Sequence, residues 1–305
     1  MESSQHIVAG YATKGQGAGP LIVTERAGYF RKYGLEVQTP LIGSASGVVR
    51  GLMDGTLQFG NLAAPALVRA RLEDSADLVY LTGGINQQFL VGGPKVKSIQ
   101  DLKGGRIGFV SDGGLNDFLT SFVVDQLKKE GIHDLELVSI PSDEDQRKGA
   151  LLKGECDALI LTPPAAVEVK RAGCHFIVDY AEYGLNFALG GIAARRSYLY
   201  HNEAIARKFI LAYVEGMQRY RTDRAFTAKV QQEYSGLSDL NIAEETYDLG
   251  QAGMPKVPYP VVHGLRALLQ FLAKELPEAR NADVSQFVDD RFVREAEKQV
   301  TMASA

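Results

Sequence analysis

The chain writes one piece of punctuation twice. GLMDGTLQFGN, residues 51–61, reads as a helix end, a glycine stop, a short apolar strand and a small polar residue, and ALLKGECDALILT, residues 150–162, repeats it. Glycine after a helix tolerates the left-handed backbone that ends the helix tightly. A short apolar run after such a stop suits a strand covered on both faces. Helix, glycine, strand is one step of a parallel α/β sheet. Two separate copies in 305 residues, more than one core usually fills, predict two lobes.

The rest of the first half has the same rhythm. HIVAGY reads as a strand, 20–33 as a helix, LEVQTPLI as a strand, 46–53 as a helix stopped by Gly55, LQFG as a strand, 64–72 as a helix and ADLVYLTGG as a strand. This βαβαβαβ order predicts a parallel sheet covered by helices. QFLVGGP is a strand that leaves the unit. A second block follows, with a short helix at SIQDL, a strand at 106–110, helix 115–129, strand DLELVSI, helix 144–152, strand CDALILT, helix 164–171 and strand CHFIVDY. FALGGIAARRS reads as a return strand. Beyond it the pattern is helical only, at 202–221, 225–234, 242–251, 261–276 and 285–300. Parallel sheets bind ligands at the carboxyl ends of their strands, and Asn61 and Thr162 both stand there.

Composition excludes several classes. Apolar residues make up 45% and charged residues 23%, as in ordinary globular proteins. The net charge of -4, without a basic run, argues against a nucleic-acid partner or a polybasic membrane patch. No window approaches the ~20 apolar residues of a membrane span. MESSQHIVAGY lacks the basic and apolar regions of a signal peptide. The protein is therefore expected in the periplasm if a leader has been removed, and in the cytoplasm if Met1 is the native start. Cys156 and Cys174 lack metal-ligand spacing and are expected to be unbridged.

Four segments, ERAGYFRKYGLEVQ, GSASGVVRGLMDGTLQFG, SIQDLKGGRIGF and GALLKGECDALILTPP, resemble in this order the substrate-binding proteins of ABC importers. The resemblance lies in the alkanesulfonate, taurine and thiamine-precursor branch (SsuA/THI5-like), and covers residues 6–200 well. It implies an α/β, type II periplasmic-binding-protein fold with a ligand cleft between two lobes. Lobe 1 would take 1–90 plus 188–305 and lobe 2 would take 91–187. The crossovers would fall near 83–92 and 185–194, whose glycines suit a hinge. The branch also includes thiamine-pyrimidine synthases, whose cysteine-rich motif this chain lacks.

Three glycine-softened turns, GQGAGPL, GSASG and SDGGLND, precede helices at strand ends and make ready anion sites. None matches a P-loop, and no dinucleotide fingerprint is present, so no cofactor is expected. The polar residues placed in the cleft are Tyr11, Gln16, Ser44, Ser46, Asn61, Asn86, Ser111, Asn116, Thr162 and Asn186. Asn61→Ala and Ser44→Ala are expected to weaken binding without destabilising the fold. The five histidines do not cluster, and both cysteines start their strands, away from the ligand edge. No metal site or catalytic set is expected. The reading is a solute-binding protein for a small organic anion, a sulfonate or carboxylate, with an ABC permease as partner outside the cytoplasm and as a monomer. The alternative is a cytoplasmic enzyme on the same fold, a decarboxylase, lyase or pyrimidine-synthase-like protein acting on a small aromatic or heterocyclic acid.

Overall fold

A computed structural model describes residues 5–84, 87–110, 115–141, 143–183, 191–251 and 254–303. The chain forms two compact units, one of Met1–Ile85 with Phe187–Ala305 and one of Asn86–Asn186.

Unit 1 contains β1 (Gln5–Tyr11), α1 (Gly19–Arg26), α2 (Tyr29–Lys32), β2 (Leu35–Gln38), α3 (Ala45–Asp54), β3 (Phe59–Leu62), α4 (Ala64–Glu73) and β4 (Leu78–Tyr80). Unit 2 contains β5 (Phe89–Gly92), β6 (Arg106–Phe109), α5 (Leu115–Lys129), β7 (Glu136–Ser139), α6 (Glu144–Lys153), β8 (Ala158–Leu161), α7 (Ala165–Arg171) and β9 (His175–Asp179). The chain then completes unit 1 with β10 (Gly191–Arg195), α8 (Arg196–His201), α9 (Glu203–Thr222), α10 (Arg224–Ser235), α11 (Leu240–Gln251), α12 (Val262–Leu272) and α13 (Arg291–Ala303).

The sheet of unit 1 runs β2-β1-β3-β10-β4. β1 is parallel to β2 and β3, while β10 lies antiparallel between β3 and β4, with Ala193 opposite Gly60 and Tyr80. The sheet of unit 2 runs β7-β6-β8-β5-β9, and here β5 is the antiparallel insert. Both sheets thus share one plan: second, first, third, inserted and fourth strand. The two copies of the repeated punctuation occupy matching places in it, α3–Gly55–β3 and α6–Gly154–β8. Both glycines are left-handed, at φ 86° and 70°, where an L side chain is strained.

Unit 1 is cored by aromatic residues. Phe209 of α9 stacks on Phe59 of β3 at 3.9 Å and on Phe30 at 4.7 Å. In unit 2 Phe89 stacks on Phe176 at 4.1 Å, among Leu151, Leu161 and Val169.

The structure departs from the sequence reading in several places. The helix expected over 20–33 breaks at Gly28, where φ is 80°. The strand expected at 57–60 starts later, because the Leu57 N–H turns back to the Gly51 carbonyl (2.8 Å) and closes the helix end. The return strand, β10, enters the otherwise parallel sheet antiparallel, pairing with both β3 and β4. The last helix begins at Arg291 instead of 285, since Asp289 donates its N–H to the Tyr80 carbonyl (2.8 Å) and draws this segment against the sheet edge. β9, with His175, is an edge strand. At Gly83 and Gly191 a side chain would collide with backbone, of Tyr259 and of Thr82 respectively, so close packing is reason enough for both glycines.

Candidate functional site

The parallel strands of unit 1 end on one edge. Tyr11 closes β1 directly opposite Asn61 of β3, and the Ala12 N–H donates to the Asn61 carbonyl (3.1 Å). The loop leaving β2 is laced to the same point. The Tyr11 N–H donates to the Pro40 carbonyl (3.0 Å), and the Tyr11 carbonyl accepts from the Ile42 N–H (2.9 Å). The Tyr11 ring is buried and meets Tyr234 edge-on at 6.3 Å. Burial raises its phenol pKa, partly offset by Arg26. Asn61 is half-buried, and its side-chain amide has no hydrogen-bond partner among the described residues.

α3 starts on this edge. Ser44 is its N-cap, accepting from the Gly47 N–H at 3.1 Å, and the exposed Ser46 reaches the Ser44 hydroxyl at 3.4 Å. The cap uses one of the N–H groups that a first turn leaves unpaired. Those of Ala45 and Ser46 have no backbone acceptor among the described residues. The first turns of α1, α3 and α4 carry no acidic side chain, so the positive ends of their dipoles stand unneutralised there.

Gln16 stands apart from this group. It is 1% exposed, and its Nε2 donates to the Thr246 carbonyl (2.9 Å) in the helical layer.

The corresponding edge of unit 2 is built differently. Thr162, just past β8, donates its hydroxyl to Glu144 Oε1 (3.2 Å), and Arg147 approaches the same oxygen at 3.8 Å. α6 is capped by Asp143, which accepts from the Gln146 N–H (2.9 Å), and its first turn adds Glu144 and Asp145. This helix start is filled by its own carboxylates. Burial raises the Glu144 pKa, and Arg147 only partly compensates. Asn116 is half-buried in the first turn of α5, beside Asp117. Asn86, Ser111 and Asn186 lie outside the described residues. The sequence reading missed Glu144 and Arg147; their one local signal is an acid and a base three apart at a helix start following a strand.

Both cysteines are free and buried, 1% and 2% exposed, and precede β8 and β9 at the amino ends of those strands. Burial, with Asp157 adding to it, pushes the Cys156 thiol up to about 12. Neither is placed or activated as a nucleophile at the carboxyl edge. Among the described residues no group of histidine, cysteine and acidic side chains gathers in metal-binding geometry, and no helix is long and apolar enough to cross a membrane.

The two α/β sheets and their strand order define a type II periplasmic-binding-protein fold. The fold is shared with the periplasmic sulfonate-binding protein SsuA of Methylobacillus flagellatus, at 19% identity over 99% of this chain and 96% of that one, with a TM-score of 0.74. It is shared with the periplasmic nitrate-binding protein NrtA of Synechocystis, at 14% identity over 97% and 89%, TM-score 0.74. The desulfurization enzyme DSZB has it too, at 17% identity over 96% and 99%, TM-score 0.72. No curated protein sequence matches the chain. The NMT1/THI5-like family profile matches residues 17–223, and the chain belongs to that family.

Proposed function

We propose that this protein captures a small organic anion, a sulfonate or carboxylate with an apolar body, as the solute-binding component of an ABC importer. One observation carries the reading. The acid-free, Ser44-capped start of α3 and Asn61, whose side-chain amide has no hydrogen-bond partner among the described residues, both lie at the carboxyl edge of unit 1. Oriented N–H groups and a neutral amide recognise an anion without a neutralising lysine. The carboxylates at the start of α6 make unit 2 the poorer anion seat, so the anionic head is assigned to unit 1. Within unit 2, Asn116 and Thr162 are proposed as ligand-binding residues. The sulfonate- and nitrate-binding relatives support this reading. An extracytoplasmic location, an ABC permease as partner and a monomeric state go with it. The enzyme reading is less favoured, because both thiols lie at the strand ends opposite the ligand edge.

A thermal-shift screen of sulfonates, carboxylates and aromatic acids tests the proposal. A true ligand at 100 times its Kd should stabilise by about 2.7 kcal/mol and be recovered chemically unchanged. Stabilisation by no anion, or turnover of the one that binds, would refute it.

A further inference from the structure

The loop joining β1 to α1, residues 13–18, lies on the carboxyl edge of unit 1 and ends in a single 3-10 turn, Gln16–Ala18. Its own bonds are Ala18 N–H to the Gly15 carbonyl (3.2 Å) and Gly15 N–H to the Thr13 hydroxyl (3.4 Å). Three other attachments come from α10 and α11, more distant in sequence than any other part of the edge. Ser235 donates its hydroxyl to the Lys14 carbonyl (2.9 Å), Gln16 Nε2 donates to the Thr246 carbonyl (2.9 Å), and the Tyr234 hydroxyl, whose shorter bond goes to Gln231 Oε1 (2.7 Å), lies 3.2 Å from the Gly15 carbonyl. Gly250 gives Gln16 its seat, since a Cβ there would overlap the Gln16 amide. The seat is not the best available for stability. Among the described residues Gln16 Oε1 and Thr246 Oγ1, in residues at most 1% exposed, have no hydrogen-bond partner, and buried polar atoms left unpaired are costly.

We infer that α10 and α11 position the ligand-edge loop of unit 1, with Gln16 as the latch, so that Gln16 is a positioning residue and not a ligand contact. The consequence for binding rests on the function proposed above. The family match ends at residue 223, immediately before α10. The clamp therefore lies outside the matched residues, as does Gln16 itself.

Native-state hydrogen exchange on Gln16→Ala, Gly250→Ala, their double variant and Ser235→Ala, with 1-butanesulfonate titration as the binding probe, tests the inference. Each single variant should speed exchange of the loop amides by about tenfold, the effect of one buried hydrogen bond, while β1 and β3 amides keep their protection. The double variant should go no further than Gln16→Ala, because both changes remove one contact. Ser235→Ala deletes a single hydroxyl and keeps the test alive if Gly250→Ala does not fold. Unchanged loop exchange, equal acceleration throughout β1 and β3, or additive effects in the double variant would overturn the latch. Where wild type binds butanesulfonate, the single variants should bind about tenfold more weakly, and unchanged affinity also overturns it. If wild type binds no anion in any screen, the proposed function fails, and loop exchange alone decides the latch.

Discussion

Tyr11 and Asn61 are register partners at the carboxyl ends of β1 and β3, the first buried and the second half-buried, with a side-chain amide that has no partner among the described residues. Asn61→Ala should therefore weaken anion binding by about 1–3 kcal/mol and leave the denaturant midpoint of the empty protein unchanged. Calorimetric titration with an anion from the screen, beside a urea melt, checks both halves. Normal binding by the variant would place the ligand elsewhere.

Ser44→Ala should behave differently from Asn61→Ala. From the sequence both are expected to spare stability, but Ser44 caps α3 through the Gly47 N–H. Removing the cap should cost about 1 kcal/mol of stability in addition to any loss of binding. A urea midpoint equal to wild type would show that the cap is dispensable.

The two helix-stop glycines can be separated by substitution. Gly55→Val puts a β-branched side chain at φ 86°, with its Cβ 3.1 Å from Arg195 Nη2, and should destabilise by more than the about 1–2 kcal/mol of a left-handed L-residue. Gly154→Ala, at φ 70° with nothing within 4 Å of its Cβ, should show the conformational cost alone. Equal losses in thermal melts would mean that the space around Gly55 does not matter.

Glu144 predicts a pH dependence. Its folded pKa is raised, chiefly by burial. Its contribution to stability is thus fully present below the unfolded carboxylate pKa and is lost as pH rises through the folded one. Glu144→Gln keeps the neutral shape, and should be more stable than wild type at pH 8, with the difference shrinking toward pH 4. Urea melts at the two pH values are the measurement, and a variant less stable than wild type at pH 8 contradicts the argument.

Cys156 and Cys174 should titrate as two free thiols in denaturant without reductant and resist modification in the native state, given their burial. Rapid labelling of the native protein would show that one of them is reachable.

Much of the fold was legible because it is written locally. Gly55 and Gly154 stop helices through their own backbone angles, Ser44 caps α3 through a residue three positions away, and the apolar runs at β3 and β8 need only the period of the chain. That Asn61 and Thr162 end at strand termini follows from the same short-range signals. The helix break at Gly28 and the delayed start of α13 did not follow. The second is set by a bond to Tyr80, far away in sequence.

The sequence by itself determined the αβ steps, the strand ends and the family likeness, since each depends on a few consecutive residues and on which side chains avoid water. Only the tertiary structure decided that β10 and β5 insert antiparallel into their sheets, that the start of α6 is filled by its own carboxylates, and that Gln16 turns into the α11 layer. The physical reason is the range of the interaction. A turn or a cap is chosen by atoms a few bonds along the chain, whereas the partner of a buried amide is chosen by whichever distant helix packs over it, and no local pattern in GQGAGPL names Thr246 or Gly250.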